Sequence, residues 1–242
     1  MHKSLSGAGI PRLRERVRGG PTLTFDERKG TLRLLQPAEL IATGPVDHAD
    51  WNYRLGLGFI SRLRFKLVLA LLPSNVGCLL EVGYGSGVFL PELSKHCRTL
   101  CGLDIHDNVN QVSAILERRG IAVYLTRGSV TAMPFAAEMF DCVVSVSALE
   151  FVDEIGAATR ELARVLRPDG RLIVVMPGRS HAVDLGLKLL TGKNAHDEYG
   201  SRRENLVPSL LSSFNVERRV HAPSFTLGLG SLYTAMRLKR KP

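Results

Sequence analysis

The sequence lacks long apolar runs and paired cysteines. No apolar run approaches the roughly 18 residues that cross a membrane, and the first residues show no continuous apolar core typical of a signal peptide. The four cysteines include no C-x-x-C pair. This argues against a disulfide framework or a zinc site and favours buried thiols in a reducing compartment. These absences predict a cytoplasmic protein without a transmembrane segment.

Acidic charge is scarce relative to basic charge, and the formal net charge is +9. Much of the excess lies near the two ends, and residues 1–43 are predicted to form a basic, poorly ordered N-terminal arm. A basic surface of this kind suits nucleic acid or an anionic membrane, but solvated chain ends are the commoner explanation. A length of 242 residues with 45% apolar and 23% charged residues is typical of one globular domain.

From residue 77 onward, near-continuous apolar segments alternate with amphipathic ones. This alternation predicts a parallel sheet covered on both faces, with right-handed crossovers. Two final segments have no full helix between them, which favours an antiparallel hairpin. We therefore predict an α/β fold: a doubly wound, Rossmann-like, mostly parallel seven-stranded sheet with a C-terminal antiparallel hairpin. Predicted strands are 78–82, 99–105, 121–126, 141–147, 171–176, 214–221 and 230–238; predicted helices are 57–72, 88–96, 108–119 and 154–166; a turn is predicted at 168–170.

A glycine-rich stretch follows the first predicted strand. The strand ends at Glu81, and Gly83, Tyr84, Gly85 and Gly87 come directly before a predicted helix. Glycines allow unusual backbone dihedrals and close approach of a ligand, and the N–H groups of a helix start favour an anionic or carboxylate-bearing one. A tight turn without a ligand is the alternative reading. The pattern is E-x-G-x-G-x-G. It is neither the dinucleotide motif G-x-G-x-x-G nor a P-loop.

Four segments in order resemble class I S-adenosylmethionine-dependent methyltransferases of the small-molecule type. The glycine-rich stretch is similar to motif I, and 140–153 is similar to the F-D-x-V-x-S…L-E-H-V form of motif IV. Segment 127–135 is similar to G-D-a-x-x-L-P-F, and 160–172 to R-x-L-x-P-G-G. The resemblance covers about 78–177 and the terminal hairpin. It implies S-adenosylmethionine as cofactor, S-adenosylhomocysteine as product, and no metal.

The resemblance also implies a set of cofactor-binding residues. Asp104, at the end of the second strand, would accept hydrogen bonds from the ribose hydroxyls, although an Asp there also suits a helix N-cap. Ser129 replaces the family's Asp that holds the adenine amine, so this contact is expected to be weaker. Ser145 and Ser147 would lie beside the sulfonium. The expected set is Glu81, Gly83, Tyr84, Gly85, Gly87, Asp104, Ile105, Ser129, Val130 and Ser145.

No residue is assigned as a catalytic base. His181 follows the fifth strand at a position from which a base could overhang the site, and His48, His196 and Asp197 are weaker candidates. His106 is expected to face solvent. Phe151 stands where the family commonly has His.

The acceptor is constrained mainly by missing motifs. There is no N-P-P-Y or D-P-P-Y tetrad and no Pro-Cys dipeptide, which disfavours methylation of nucleic-acid bases. Residues 44–242 are predicted as the methyltransferase domain, with a pre-core helix in 44–76 and a lid-like insertion at 178–212 that would enclose an apolar acceptor. An ordinary helix covering the sheet is the alternative for 178–212. The run 62–66 is either a solvated helix face or a lining of the substrate entrance.

The expected function is methyl transfer to an O, N or C atom of a small, partly apolar molecule. The alternatives are RNA methylation and a non-catalytic module that retains the cofactor pocket. Peripheral membrane contact and the oligomeric state stay open.

Overall fold

Seven strands form a single sheet in the computed structural model, which describes residues 31–44, 49–55, 57–178, 202–222 and 231–242. The strands are β1 Val76–Val82, β2 Cys97–Asp104, β3 Tyr124–Arg127, β4 Phe140–Val146, β5 Leu166–Pro177, β6 Phe214–Ala222 and β7 Tyr233–Arg240. The helices in these ranges are α1 Leu57–Leu71, α2 Leu90–Leu93, α3 Val109–Arg118, α4 Ile155–Val165 and α5 Arg202–Ser213. Short 3-10 turns lie at Pro37–Glu39, Ala49–Tyr53 and Leu149–Phe151.

The strand order is β3-β2-β1-β4-β5-β7-β6. The first five strands are parallel, while β7 pairs antiparallel with both β5 and β6. The predicted doubly wound sheet and its antiparallel C-terminal hairpin are confirmed. The direction of strand addition reverses between β1 and β4, and at such a point the loops of two neighbouring strands diverge and leave a crevice.

Two apolar clusters cover the faces of the sheet. One cluster joins α1, α2 and α3 to one face, and the other joins α4 and α5 to the opposite face. Side chains on β1 alternate between them, since Leu79 belongs to the first cluster and Leu80 to the second. Burial on both faces explains why the central strands are continuously apolar.

Two predicted elements differ from the observed ones. The helix predicted at 88–96 contracts to α2, Leu90–Leu93, which starts at the glycine turn. The turn predicted at 168–170 lies inside β5. There the register with β4 shifts from Phe140↔Leu166 to Cys142↔Arg171, so the extra residues form a bulge instead of ending a strand.

Residues 31–43 lie against the domain. Leu35 is buried and its N–H donates to the carbonyl of Val88 at 3.3 Å. The N–H of Arg33 donates to Glu92 Oε2 at 2.6 Å. This part of the predicted arm is therefore packed, not poorly ordered, whereas residues 1–30 lie outside the described ranges.

The predicted lid falls only partly within the described residues. Residues 179–201 lie outside them. Residues 202–212 belong to α5, where Leu206 and Leu210 are buried in the cluster shared with α4. That part is a core helix, so the prediction of a lid is wrong for residues 202–212. No helix in the described ranges combines the length and apolar character needed to cross a membrane.

Candidate active site

A cleft of about 480 Å³ opens at the carboxyl ends of β1, β2 and β4. This is the crevice expected where the strand order reverses. Its walls come from the glycine turn, the ends of β2 and β4, the loop after β3, and the inner face of α1. The residues that line it include Arg64, Phe65, Glu81, Gly83, Tyr84, Gly85, Phe89, Asp104, Ile105, His106, Gly128, Val130, Ser147, Ala148 and Phe151.

The glycine turn has the backbone that its sequence predicts. Gly83, Gly85 and Gly87 have φ angles of +77°, +52° and +75°, a region that favours glycine. At Gly83 a Cβ atom would stand 2.3 Å from the Cβ of Ala148, on the segment after β4. Glycine therefore lets the β1 and β4 loops meet at the floor of the cleft.

Asp104 ties the end of β2 to this turn. Its Oδ2 accepts the N–H of Gly85 at 2.8 Å, and its Oδ1 accepts the N–H of Ile105 at 2.7 Å. The N-cap of α3 is Asn108, so the helix-capping reading of Asp104 does not hold. Ile105, beside it, is 70% exposed at the rim of the cleft. An exposed apolar side chain at this position can pack against the face of a planar aromatic ring.

His106 is buried in the site, contrary to the expectation that it faces solvent. Only 6% of its side chain is exposed. Its Nδ1 accepts the N–H of Asn108 at 3.1 Å, so Nε2 carries the proton and donates to the carbonyl of Gly85 at 2.9 Å. The ring also meets Tyr84 edge to face. Both ring nitrogens are thus engaged in holding the glycine turn.

Glu81 is a buried carboxyl group at the floor of the cleft. Its Oε2 has no hydrogen-bond partner among the described residues. Burial, and secondarily the charge of Asp104, raises the pKa of Glu81 to about 8, while Arg64 acts in the opposite direction. Burial likewise raises the pKa of the neighbouring Tyr84. A buried carboxyl oxygen without a hydrogen-bond partner suits a ligand that carries a positive charge.

The loop after β3 reaches the cleft through residues other than Ser129. Gly128 and Val130 line the cleft, but Ser129 does not. The Ser129 hydroxyl lies 2.7 Å from that of Thr131 and accepts the Thr131 N–H at 3.2 Å. The Ser129 side chain therefore stabilises the local turn by hydrogen bonding.

Of the two serines on the segment that ends β4, only Ser147 reaches the cleft. Ser145 is buried and absent from the lining, because alternation along β4 places it on the face opposite Val146. Ser147 has a φ of +52°, unusual for serine, and donates its N–H to the carbonyl of Val175 at 2.8 Å. Its Oγ is buried and finds no hydrogen-bond partner in the described ranges. Gly87 also stands outside the lining, where a Cβ would meet Val112 at 2.8 Å.

Residues 62–66 combine the two predicted roles, since some of them line the cleft and others form a solvated helix face. Arg64 and Phe65 line the cleft, and Phe65 stacks on Phe89 with ring centroids 4.3 Å apart. Arg62 and Lys66 are exposed on the outer side of α1. Helical periodicity explains the division: residue 64 points about half a turn away from 62 and 66, and residue 65 lies on the flank between the two sides. The candidate bases lie outside the described residues: His48, His181, His196 and Asp197.

Comparison with known proteins supports this geometry. Residues 80–174 match the family model described as a methyltransferase domain. A solved S-adenosylmethionine-dependent methyltransferase from Aquifex aeolicus superposes with a TM-score of 0.60 at 18% identity, over 75% of this chain and 93% of that one. Over residues 80–174 the chain therefore resembles the methyltransferase family, and the superposed structure shows that it shares the fold of these enzymes. The N-methyltransferase NodS from Bradyrhizobium japonicum, solved with S-adenosyl-L-homocysteine, shares the fold with a TM-score of 0.57 at 18% identity, covering 81% of this chain and 94% of that one.

Curated relatives match this chain over part of their length. A demethylmenaquinone methyltransferase from Mycobacterium marinum is 36% identical over 96 residues, which are 40% of this chain and 39% of that protein. A phosphatidylethanolamine N-methyltransferase from Cereibacter sphaeroides is 29% identical over 126 residues, 51% of this chain and 62% of that one. The match thus spans less than two thirds of either relative. Among the residues that the structure describes, no group of three or more His, Cys, Asp or Glu is placed to hold a metal ion.

Proposed function

We propose that the chain transfers the methyl group of S-adenosylmethionine to an O, N or C atom of a small, partly apolar molecule. One observation carries this proposal: a single cleft joins the glycine turn and Asp104 to an apolar wall that includes Phe65, Phe89 and Phe151. The first part suits a nucleoside that bears an amino acid, and the second suits an apolar acceptor. The two relatives described above are named for a quinone and a lipid acceptor, which agrees with such a wall.

The described residues fit the cofactor. Each Asp104 oxygen accepts one backbone N–H and keeps a second lone pair for a ribose hydroxyl. Ile105 and Val130 would flank the adenine, and the glycine turn would hold the amino-acid portion. Glu81 would face the positive charge of the cofactor. The cofactor supplies an activated sulfonium methyl group, so these residues mainly position and desolvate the acceptor.

Glu81 is expected to couple cofactor binding to proton release. Without ligand its raised pKa keeps it protonated below about 8; the positive charge of the cofactor favours the ionised form. Affinity should therefore rise with pH up to about 8, with protons released on binding. Calorimetry in two buffers of different ionisation enthalpy would measure that release, which Glu81→Gln should abolish. Equal proton release in the variant would contradict the assignment.

The same shift sets the pH dependence of stability without ligand. A carboxyl group whose folded pKa lies above its unfolded value favours folding when it is protonated. Stability should thus fall as pH rises from 4.5 to about 8. Glu81→Gln should remove this part of the decline, so urea unfolding should show the variant gaining on the wild type with increasing pH. A constant difference between the two proteins would show that Glu81 does not titrate in this range.

The acceptor class is tested by methyl transfer from radiolabelled S-adenosylmethionine. Reduced quinones, phenols, phosphatidylethanolamine and total RNA would be offered separately, with each product extracted into organic solvent or precipitated. Label in an organic product is the expected result. Label in RNA would replace this proposal with RNA methylation. Retained S-adenosylhomocysteine binding without transfer to any acceptor would favour the non-catalytic module.

A further inference from the structure

The outer side of α1 presents apolar and basic side chains together. Leu55, just before the helix, is 103% exposed and Phe59 is 68% exposed. Arg62 and Lys66 are exposed along the same side, and the Lys66 ammonium lies 5.9 Å from the centroid of the Phe59 ring. Positions 59, 62 and 66 recur at the spacing of a single helical face. We name Leu55, Phe59, Arg62 and Lys66 the α1 outer face.

This face begins at the end of the molecule where the cleft opens. Phe65 of α1 stacks on Phe89 beside the glycine turn. The carbonyl of Leu71, at the other end of α1, accepts from Arg237, whose partner on β5 is Ile173. Because α1 ends at Leu71 and β1 begins at Val76, the helix runs from the cleft towards the amino ends of the parallel strands. Leu55 and Phe59 precede Phe65 and so lie on the cleft side.

The charged side chains of α1 and of the residues directly before it are all basic. Residues 54–72 contain Arg54, Arg62, Arg64 and Lys66 and no Asp or Glu. Arg54 is paired with Asp50 at 2.7 Å and Arg64 turns into the cleft, which leaves Arg62 and Lys66 facing outward. Protruding Leu and Phe side chains next to Lys and Arg are typical of a helix that rests in the interface of an anionic bilayer.

We propose that the α1 outer face docks on an anionic lipid bilayer, with Leu55 and Phe59 inserted among the acyl chains and Arg62 and Lys66 at the headgroup phosphates. Leu55 and Phe59 both protrude from the surface beside basic side chains, an arrangement that suits insertion into a fluid anionic lipid surface. Docking does not depend on methyl transfer. In combination with the proposed function, it would bring the cleft mouth to the surface from which an apolar acceptor enters.

The test is cosedimentation of the full chain with vesicles of phosphatidylcholine alone or mixed with phosphatidylglycerol. The wild type is expected to bind the mixed vesicles. Binding should fall about tenfold or more in Leu55→Ser/Phe59→Ser and in Arg62→Glu/Lys66→Glu. Matched controls carry the same changes elsewhere on the surface: Tyr124→Ser/Val216→Ser and Arg118→Glu/Arg219→Glu. The controls should bind like the wild type.

A second readout localises the contact. The chain has one tryptophan, Trp51, in the 3-10 turn that precedes Leu55. Brominated lipids should quench its fluorescence in the wild type and in the controls but not in the α1 variants. Three results would overturn the proposal: no binding by the wild type, an equal loss in the charge control, or unchanged binding of the α1 variants. If the α1 outer face is needed to bind a protein and the chain does not bind vesicles, the face belongs to a protein interface and the proposal is overturned. Because no assay here requires turnover, each of these results leaves the methyl-transfer proposal standing.

Discussion

Asp104→Ala is expected to weaken S-adenosylhomocysteine binding by about 100-fold, or about 2.8 kcal/mol. Hydrogen bonds to a charged group contribute about 1.5–3 kcal/mol each, and the variant would lose those to both ribose hydroxyls. It would also release the backbone N–H groups of Gly85 and Ile105, which Asp104 holds at 2.8 and 2.7 Å. Isothermal titration calorimetry on the purified chain measures the loss.

The matched control is Asp107→Ala, three residues further along. The Asp107 side chain is 78% exposed and pairs with Arg127 at 2.8 Å, so its removal should leave the affinity within about twofold, since exposed pairs contribute little. Asp104→Asn, which keeps the shape and one acceptor oxygen, should fall between the two alanine variants. Near-normal binding by Asp104→Ala would remove the carboxylate from the proposed ribose site.

Gly83→Ala is expected to destabilise the chain by about 3 kcal/mol and to abolish cofactor binding. About 1 kcal/mol comes from placing a side chain at positive φ, and the rest from overpacking against Ala148, whose Cβ would be 2.3 Å away. Gly120 isolates the first contribution. Its φ is +67° and a Cβ there would meet nothing within 4 Å, so Gly120→Ala should lose only about 1 kcal/mol.

Urea unfolding of both variants provides the comparison. The double variant Gly83→Ala/Ala148→Gly removes the clashing methyl group and should recover about 2 kcal/mol. If the double variant is no more stable than Gly83→Ala, the cost lies in the backbone and the close packing of the β1 and β4 loops is not its cause.

Apolar runs in the sequence predict most of the sheet, because strands that are buried on both faces must be apolar along their length. Continuous apolar runs predicted β1, β2 and β4 to within two residues at each end, since a strand buried on both faces tolerates few polar residues. The position of β7 between β5 and β6 depends on pairing between distant segments, and spacing along the chain does not specify it. The bulge at 168–170 was interpreted as a turn because the same residue types serve both.

The candidate site was predictable where the backbone itself makes it. The positive φ angles of the glycine turn and the position of Asp104 follow from strand ends and residue types. His106 was misjudged because its burial depends on a carbonyl of the glycine turn and an N–H of Asn108, which no local pattern reveals. Arg64 and Phe65 differ from Arg62 and Lys66 only by rotation around α1, and the sequence alone does not say which side faces the cleft.

The place of β7 in the sheet also bears on how the chain is made. β6 joins the sheet only through β7, although β6 is synthesised first. Until residues 233–240 leave the ribosome, β5 keeps one unpaired edge and β6 has no neighbouring strand among those described. Open strand edges invite intermolecular pairing. A chaperone that shields open β edges is therefore expected to protect this chain until β7 has paired with β5 and β6.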